Sequence, residues 1–472
     1  MDGNHKQKII YDVLYGFIHF SPVEWEIIHS PFYQRLRWIK QLGFSFYTFP
    51  GAEHSRLGHS IGVMFNAHKI LESVGQAIPL DELLTSKLDS PKAVFHQSVR
   101  IAAMLHDIGT FPFSHTTEAA YIRFDETKRS KGHSDNHEHL GSFIIKNTDY
   151  PGGITAILKK YKIDPQKISN LVKGVDESVL ANQILHSEVD CDRMDYLLRD
   201  AHYTGLQYGT YDRTYLLHHF TTKEVAGQKV LAIKQNALHC VEDFLMSRFA
   251  WYSQVVRSPR GAKYDAVAEE ITYYFLEKGL MNRYSKLLEQ VESAPLDFYQ
   301  FNDHYFIGLV HKHYTSGKLD ENKRIKSMAE SILFEKSPRT VRCDELNQVL
   351  LNQDEDQKNE KIVKKAIDKA REIESTLKKY GTDDDWIVLD IPKKDVSFVK
   401  SQKQIIKTKT SANVLLERDP VKIVGHKGDL SLLVDIQDSI ISQLQKTVNF
   451  MPNVFCSDSA YKLLLDKKVI TD

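Results

Sequence analysis

The 472-residue sequence has few cysteines, no long apolar run and no excess of either charge. Its four cysteines include no CxxC pair, which excludes a zinc ribbon and a disulfide framework. No run of about 18 apolar residues occurs and the opening residues are charged, so we expect a cytoplasmic protein without a membrane span. Because 62 basic side chains balance 62 acidic ones, a generally basic, nucleic-acid-coating surface is excluded. A local basic pocket stays open.

The sequence is rich in histidine, with 21 residues, many of them between His54 and His219. At roughly 100–200 residues per domain the length allows about two to four domains. Hydrophobic residues make up 42% and charged residues 26%, which is typical of a globular chain. Histidines next to acidic residues are candidate metal ligands and acid–base groups at neutral pH.

The hydrophobic periodicity is mostly helical. Residues 9–20 are β-branched and aromatic around Gly16, which predicts a hairpin, and Ser21-Pro22 then opens a helix. Beyond about residue 315 a charged helix and short strands predict a smaller α+β region. Further helices are predicted at 31–42, 59–74, 99–106, from 114, and at 182–200, 237–256, 264–278, 352–379 and 436–445, strands at 385–391 and 420–424, and long loops at 125–136 and 204–214.

Three strings carry candidate chemistry: SRLGHS (55–60), MLHDIG (104–109) and SEVDCDRMDYLLRD (187–200). An unpaired Asp107 beside an apolar helix would be costly to bury, and a divalent cation would compensate its charge. The His106-Asp107 pair alone also fits a capped or exposed position. Together with His59 and Asp192, however, it provides two imidazoles and two carboxylates. These suffice for one metal ion with open positions for water and substrate.

In order and approximate spacing, these strings resemble the HD phosphohydrolase superfamily. With QRLRWIKQLG, FPGAEHSRLGHSIGV, PFSH and NHE, they are similar to its dNTP triphosphohydrolase branch over about residues 8–257. The resemblance implies a mainly α protein, with a helical HD core and a smaller α+β C-terminal region. We expect an N-terminal hairpin and helix (residues 1–50) for regulation or oligomer contacts, a catalytic core (51–315) and a C-terminal region (316–472).

The resemblance also implies a reaction and its residues. Water would attack the α-phosphorus of a dNTP and release inorganic triphosphate, with His115 as general acid. Glu118 would orient His115, and His137 with Glu138 would form a second acid–base pair, although His137 also fits a surface loop. One divalent ion (Mn, Fe, Mg, Zn and Ni are not distinguished) would be held by His59, His106, Asp107 and Asp192. The implied substrate-binding residues are Gln41, Leu42, Arg56, Thr110, Arg193, Tyr196, Asp200, Arg248 and Tyr252.

The Tyr196 ring beneath C2′ would disfavour a ribose hydroxyl, although plain core packing explains this tyrosine equally well. Thr110 and Phe111 depart from the family, which has His-Gly at these positions. Threonine can donate a hydrogen bond to phosphate but carries no charge, so turnover would be slower or the substrate different.

An activating nucleotide between subunits is a further implication of the resemblance. Lys8, Gln34 and Arg37 match the phosphate side of that family site. His29 and Tyr11 replace its guanine-reading residues, which implies a different activator. The protein would then be a homo-oligomer, a dimer or a tetramer.

Two alternatives stay open. One is an HD phosphodiesterase or nuclease acting on cyclic nucleotides or single strands. QRLRWIKQLG and DYLLRD disfavour it, because the resemblance places them in the nucleoside pocket of the triphosphohydrolase branch; nucleic acid is possible but not indicated. The other is a nucleotide-sensing regulatory protein with weakened catalysis, which the departures at Thr110 and Phe111 would explain.

Overall fold

The computed structural model describes residues 8–85, 88–125, 135–352, 355–390, 396–397 and 411–470. Most of these residues are helical and the strands are short, which confirms the predicted mainly α class. No helix in the described ranges is long and apolar enough to span a bilayer. The helices are α1 (Pro22–Ile28), α2 (Pro31–Gln34), α3 (Arg56–Ser73), α4 (Leu80–Thr85), α5 (Pro91–Leu105), α6 (His115–Phe124), α7 (His137–Asn147), α8 (Ile154–Lys160), α9 (Pro165–Val172), α10 (Val179–His186), α11 (Cys191–Thr204), α12 (Arg213–His219), α13 (Leu238–Trp251), α14 (Pro259–Glu277), α15 (Tyr284–Ser293), α16 (Pro295–Tyr299), α17 (Asp303–Thr315), α18 (Lys323–Leu333), α19 (Asp356–Tyr380), α20 (Ser411–Leu416), α21 (Ile440–Leu444) and α22 (Asp458–Asp466).

The strands of the described residues form small sheets. The hairpin β1–β2 stands by itself, and the other sheets have the orders β10-β9-β4-β3, β6-β11-β8 and β5-β12-β7. Their strands are β1 (Ile9–Asp12), β2 (Gly16–His19), β3 (Phe220–Val225), β4 (Gln228–Lys234), β5 (Arg339–Thr340), β6 (Val349–Asn352), β7 (Ile387–Asp390), β8 (Val396–Ser397), β9 (Lys422–Val424), β10 (Leu430–Leu432), β11 (Thr447–Phe450) and β12 (Asn453–Cys456).

Helices α3, α5 and α11 pack together at the centre of the core. Ser90 caps α5 by accepting a hydrogen bond from the Ala93 N–H (3.1 Å). Asp190 caps α11 in the same way through the Arg193 N–H (2.8 Å). Where α3 meets α11 the residue is Gly62, because a Cβ there would lie 1.9 Å from Asp195 Oδ1. The small residue therefore lets the two helices that carry His59 and Asp192 approach each other.

The C-terminal region contributes to two cores. β9 pairs in parallel with β4 (Ile233 opposite Ile423), which joins the segment around residue 423 to the helical core. The two three-stranded sheets, α19 and α22 surround a second apolar core that begins at Val341. The smaller α+β region is thereby confirmed, whereas the boundary at residue 315 stays a prediction.

Three predicted helices differ from the structure. The helix predicted over 31–42 ends at Gln34, continues as a 3-10 turn to Trp38, and is extended at Ile39, because Lys40 pairs with Ser55 across the chain. The helix predicted over 182–200 breaks between α10 and α11, where Asp190 caps the second helix. The helix predicted over 436–445 is only α21. Residues 126–134 of the loop predicted over 125–136 lie outside the described residues.

Candidate metal centre and substrate cavity

The four residues predicted as metal ligands come together from three helices. His59 Nε2 lies 3.0 Å from Asp192 Oδ1 and 3.7 Å from Asp107 Oδ2. His106 Nε2 lies 3.3 Å from Asp107 Oδ2 and 3.7 Å from Asp192 Oδ1. One ligand atom from each of His59, His106 and Asp192 lies within 4.8 Å of the others. The spacing suits a single ion bound at the centre of the group.

The far nitrogen of each imidazole has a fixed partner. His59 Nδ1 lies 2.8 Å from Asp195 Oδ2. His106 Nδ1 lies 2.8 Å from the Ala103 carbonyl oxygen, to which it can only donate. With Nδ1–H so engaged, each Nε2 keeps its lone pair for a cation. The donor set of imidazole nitrogens and carboxylate oxygens therefore fits a divalent ion.

Charge at the centre is balanced by buried cations. Burial by itself would raise the pKa of Asp107, but Arg56 and His106 outweigh it and hold that pKa well below its usual range. Arg56 forms an ion pair with Asp107 and donates to Ser114 Oγ (2.9 Å). Burial raises the pKa of Asp192 and the hydrogen bond with His59 lowers it, with a net decrease. Both carboxylates are ionised at neutral pH, as ligation requires.

Asp195 holds His59 through the imidazole nitrogen that faces away from the proposed ion. It was not predicted as a site residue. It is fully buried, and besides His59 it accepts hydrogen bonds from Arg199 Nε (2.8 Å) and the Tyr15 hydroxyl (2.8 Å). Its position three residues after Asp192 on the same helix is the sequence signal that could have indicated it.

We expect Asp195→Asn to weaken metal binding by about 10- to 100-fold, because the amide cannot hold His59 Nδ1–H with a full negative charge. Titration of metal-free protein with Mn²⁺ by calorimetry measures the change. Asp243→Asn, at an exposed position of α13, is the matched control and should bind like the wild type. Equal affinities in both variants would show that Asp195 serves packing alone.

A second cluster lies beside the metal centre. Glu118 Oε2 lies 2.7 Å from His115 Nδ1, and its Oε1 lies 2.6 Å from His137 Nδ1 and accepts the His137 backbone N–H (2.7 Å). The two rings are 5.3 Å apart between centroids. Burial would raise the pKa of Glu118, but the two histidines hold it far below its usual range. Burial would lower the pKa of His137, yet Glu118 raises it to about 9.

The turn before His115 is strained. Phe113 and Ser114 have φ values of +52° and +58°, which non-glycine residues rarely adopt. Asp303 accepts the Phe113 N–H (2.6 Å), and the Ser114 hydroxyl donates to the Lys40 carbonyl (2.6 Å). These contacts hold His115 at the start of α6, where its side chain is 68% exposed.

Both clusters face one cavity of about 390 Å³. The predicted residues Gln41, Leu42, Arg56, Arg193, Tyr196 and Glu138 also line it. Gln41 Oε1 is buried without a hydrogen-bond partner in the described chain, so it can accept a hydrogen bond from a ligand. The Tyr196 ring packs against the Trp251 ring (4.4 Å between centroids, planes tilted by 30°), and the two form an aromatic wall.

Four residues predicted to bind substrate do not line this cavity. Thr110 is buried, and its backbone N–H donates to the Asp107 carbonyl (2.9 Å). Asp200 is also buried and accepts the Trp251 indole N–H (2.8 Å). Arg248 Nη1 lies 3.6 Å from Glu188 Oε1. Tyr252 begins a π-helical turn that brings Trp251 and Val256, rather than itself, to the wall. The contacts of these four residues with a substrate stay predictions.

Other wall residues were not predicted. Asp190 lies within the string at 187–200, whereas no local motif gives a signal for the rest, which are Lys173, His186, Arg418 and Asp419, together with Trp251 and Asp265.

The predicted activator residues lie away from the cavity. The Lys8 carbonyl accepts the Phe20 N–H (2.9 Å) at the base of the hairpin. Arg37 Nε donates to Gln34 Oε1 (3.2 Å) on the surface. Tyr11 is 68% exposed and packs edge to face on Phe17. A regulatory role for this surface stays a prediction.

Comparison with known proteins now assigns the family. Residues 56–200, which contain all four ligand candidates, match the model of the HD domain family. The chain therefore contains an HD domain over these residues. The resemblance to the HD superfamily is thereby confirmed over these residues.

The HD-domain protein has relatives of known and unknown activity. It is 32% identical over 256 residues to the uncharacterized protein YwfO of Bacillus subtilis, covering 54% of this chain and 52% of that one. It is 30% identical over 223 residues to the human deoxynucleoside triphosphate triphosphohydrolase SAMHD1, covering 42% and 34%. The chain spans about half the length of the first of these relatives.

Two crystal structures share the fold over nearly the whole HD-domain protein. A hypothetical protein from Aquifex aeolicus superposes with a TM-score of 0.64 at 23% identity, covering 98% of both chains. A phosphohydrolase from Bacteroides thetaiotaomicron superposes with a TM-score of 0.65 at 19% identity, covering 96% of this chain and 100% of that one.

Proposed function

We propose that this HD-domain protein is a metal-dependent hydrolase that converts dNTPs into deoxynucleosides and inorganic triphosphate. The observation that carries the proposal is the His115–Glu118–His137 cluster, whose histidines line the same cavity as three of the four ligand candidates, namely His106, Asp107 and Asp192. The similarity to SAMHD1, whose name states that activity, supports the substrate class.

The divalent ion would be held by His59, His106, Asp107 and Asp192. When bound, it neutralises phosphate charge and lowers the pKa of water. Mn, Fe, Mg, Zn and Ni all suit this donor set.

His115 is proposed to donate the proton that the departing 5′-oxygen needs. Its Nδ1 is fixed by Glu118, so Nε2 is the nitrogen left for the cavity. His137, whose pKa is raised to about 9, supplies positive charge near the phosphates at neutral pH. Glu138 lies at the wall, and we propose that its charge helps His137 to keep its proton.

The wall formed by Tyr196 and Trp251 is proposed to hold the sugar face. A ring beneath C2′ leaves no room for a ribose hydroxyl, and Gln41 Oε1 would accept a hydrogen bond from the sugar, with Leu42 as its apolar neighbour. The charge of Arg248 is close enough to Tyr196 and Asp190 to act on the pKa of both groups, in each case lowering it. We propose that Arg248 acts on the cavity through this charge.

Regulation is proposed on the same resemblance. Lys8, Gln34 and Arg37 would bind an activating nucleotide where subunits of a homo-oligomer, a dimer or a tetramer, meet. A cytoplasmic location stays a prediction.

The test is product analysis with each of the four dNTPs in the presence of Mn²⁺, with and without a second nucleotide. We expect inorganic triphosphate and deoxynucleoside in equal amounts, separated by ion-exchange chromatography, and much slower release from ribonucleotides. Hydrolysis of cyclic nucleotides or single strands instead would favour the phosphodiesterase alternative. Nucleotide binding without any product would favour a sensing protein.

A further inference from the structure

A segment far along the chain packs against the metal-binding core. Gln183 Nε2 donates to the Glu417 carbonyl (2.8 Å), and the Glu188 N–H donates to the Asp419 carbonyl (3.2 Å). A few residues later β9 pairs with β4. Residues 417–424 are therefore attached to the core at both ends. One of these attachments is at Glu188, shortly before α11 begins with its Asp192.

A buried lysine closes this segment into a loop. Lys422 is 2% exposed, and its Nζ donates to the Glu417 carbonyl (2.8 Å) and to the Pro420 carbonyl (2.8 Å). An ammonium group without solvent must find such acceptors, because burying it unpaired is costly. The loop between these two carbonyls carries Arg418 and Asp419, and the lysine fixes its conformation.

The Arg418 side chain lines the cavity and passes close to the backbone of Gly174. A Cβ at Gly174 would lie 2.5 Å from Arg418 Nη1 and 2.9 Å from His186 Cδ2, so only glycine leaves this space, and its φ of +67° also favours glycine. The neighbouring Lys173 lines the same wall. Both side chains thus lie at the cavity wall where α9 ends.

The other wall arginines are already engaged. Arg56 is paired with Asp107 and Arg193 with Asp190. By contrast, Arg418 Nε lies 4.0 Å from Asp419 Oδ1, and its side chain is 43% exposed. Lys173 has no ion pair within the described chain. Among the arginines and lysines of the described cavity wall, these two are therefore the ones left to meet new negative charge.

We propose that Arg418 and Lys173 bind the distal phosphates of the substrate, so that the C-terminal loop completes a site otherwise built by the HD domain. The inference rests on the proposed function and names the residues that receive its triphosphate. A guanidinium fork recognises phosphate oxygens in pairs, and a lysine adds a point charge beside it. Arg418 lies outside residues 56–200, so HD motifs could not indicate it.

The test is calorimetric titration of the whole protein, in excess Mn²⁺, with inorganic triphosphate. Arg418→Gln should weaken binding at least about 10-fold, as expected for a lost charge-assisted hydrogen bond, and Arg418→Lys should recover part of it. Deoxynucleoside binding should not change. Lys173→Gln should weaken triphosphate binding in the same direction. In turnover with dNTPs, KM should rise more than kcat falls.

Arg371→Gln is the control, since Arg371 is 74% exposed on α19 and pairs with Asp368. If the wild type binds triphosphate and Arg418→Gln binds it equally well, this inference is overturned while the proposed function stands. A wild type that binds neither triphosphate nor any dNTP overturns both. An equal loss of deoxynucleoside binding, or an equal loss in the control, would show a general structural effect and also contradict the assignment.

Discussion

Asp192→Ala is expected to remove about one equivalent of bound divalent metal per chain and to abolish hydrolysis. Asp192 offers its oxygen 3.0 Å from His59 Nε2 and 3.7 Å from His106 Nε2, between the two imidazoles. A methyl group has no lone pair to replace that oxygen, and the remaining donors leave one side of the ion without a ligand. Elemental analysis of the purified variant after dialysis against trace metal measures the loss.

Asp192 is a better position for this test than Asp107. The Asp192 side chain is 32% exposed, whereas Asp107 is buried and paired with the buried Arg56. Removing Asp107 would leave the buried Arg56 guanidinium without its carboxylate partner and lower the free energy of unfolding by roughly 3–5 kcal/mol. A loss of metal could then not be told apart from unfolding. Asp243→Ala is the matched control on an exposed helix face. Full metal content in Asp192→Ala, with an unchanged melting temperature, would refute the ligand assignment.

The ligand candidates could be predicted because each stands in a short, recognisable string. The contacts that make them work could not, because they join distant parts of the chain. Asp195 meets His59 across 136 residues, and Arg418 reaches the wall through a loop fixed by its own buried lysine. The helix predicted over 31–42 fails for the same reason: its periodicity is helical, but Lys40 pairs with Ser55 outside it.

The departure at Thr110 and Phe111 has a packing explanation. Phe111 is wholly buried, with its ring centroid 4.9 Å from that of Tyr121 and 5.5 Å from that of Phe301. Where the family resemblance implies a glycine, this chain therefore has Phe111, whose buried ring packs on Tyr121 and Phe301 and stabilises the turn after Asp107. Thr110 is buried in the same turn and, unlike the histidine that the family resemblance implies there, carries no charge. Positive charge for the substrate must then come from elsewhere in the wall, such as Arg418 and Lys173.

His115→Ala is expected to lower kcat by about 10²- to 10⁴-fold, the usual contribution of a general acid. Binding of Mn²⁺ and of inorganic triphosphate should stay near the wild-type level, because His115 is exposed and lies outside the His59–His106–Asp107–Asp192 set that is proposed to hold the ion. Single-turnover kinetics with a dNTP, alongside calorimetry, separates the chemical step from binding. His311→Ala, on the surface of α17, is the control. A loss below about tenfold would move the acid role to His137.

The pH profile separates the two histidines further. His137 has a folded pKa of about 9, above the ordinary 6.5, so it is charged at neutral pH and loses its proton as the pH rises through 9. Glu118→Gln removes the carboxylate that raises this pKa most and leaves burial, which lowers it, opposed only by the charges of Asp107 and Glu138. If the charge of His137 assists phosphate binding, the alkaline limb of kcat/KM should move to lower pH in Glu118→Gln. In His115→Ala, which keeps Glu118, the same limb should stay near pH 9 while the whole profile falls. If the alkaline limb of kcat/KM lies at the same pH in Glu118→Gln as in the wild type, His137 contributes no charge to the reaction. Glu118 would then act on the substrate only through His115.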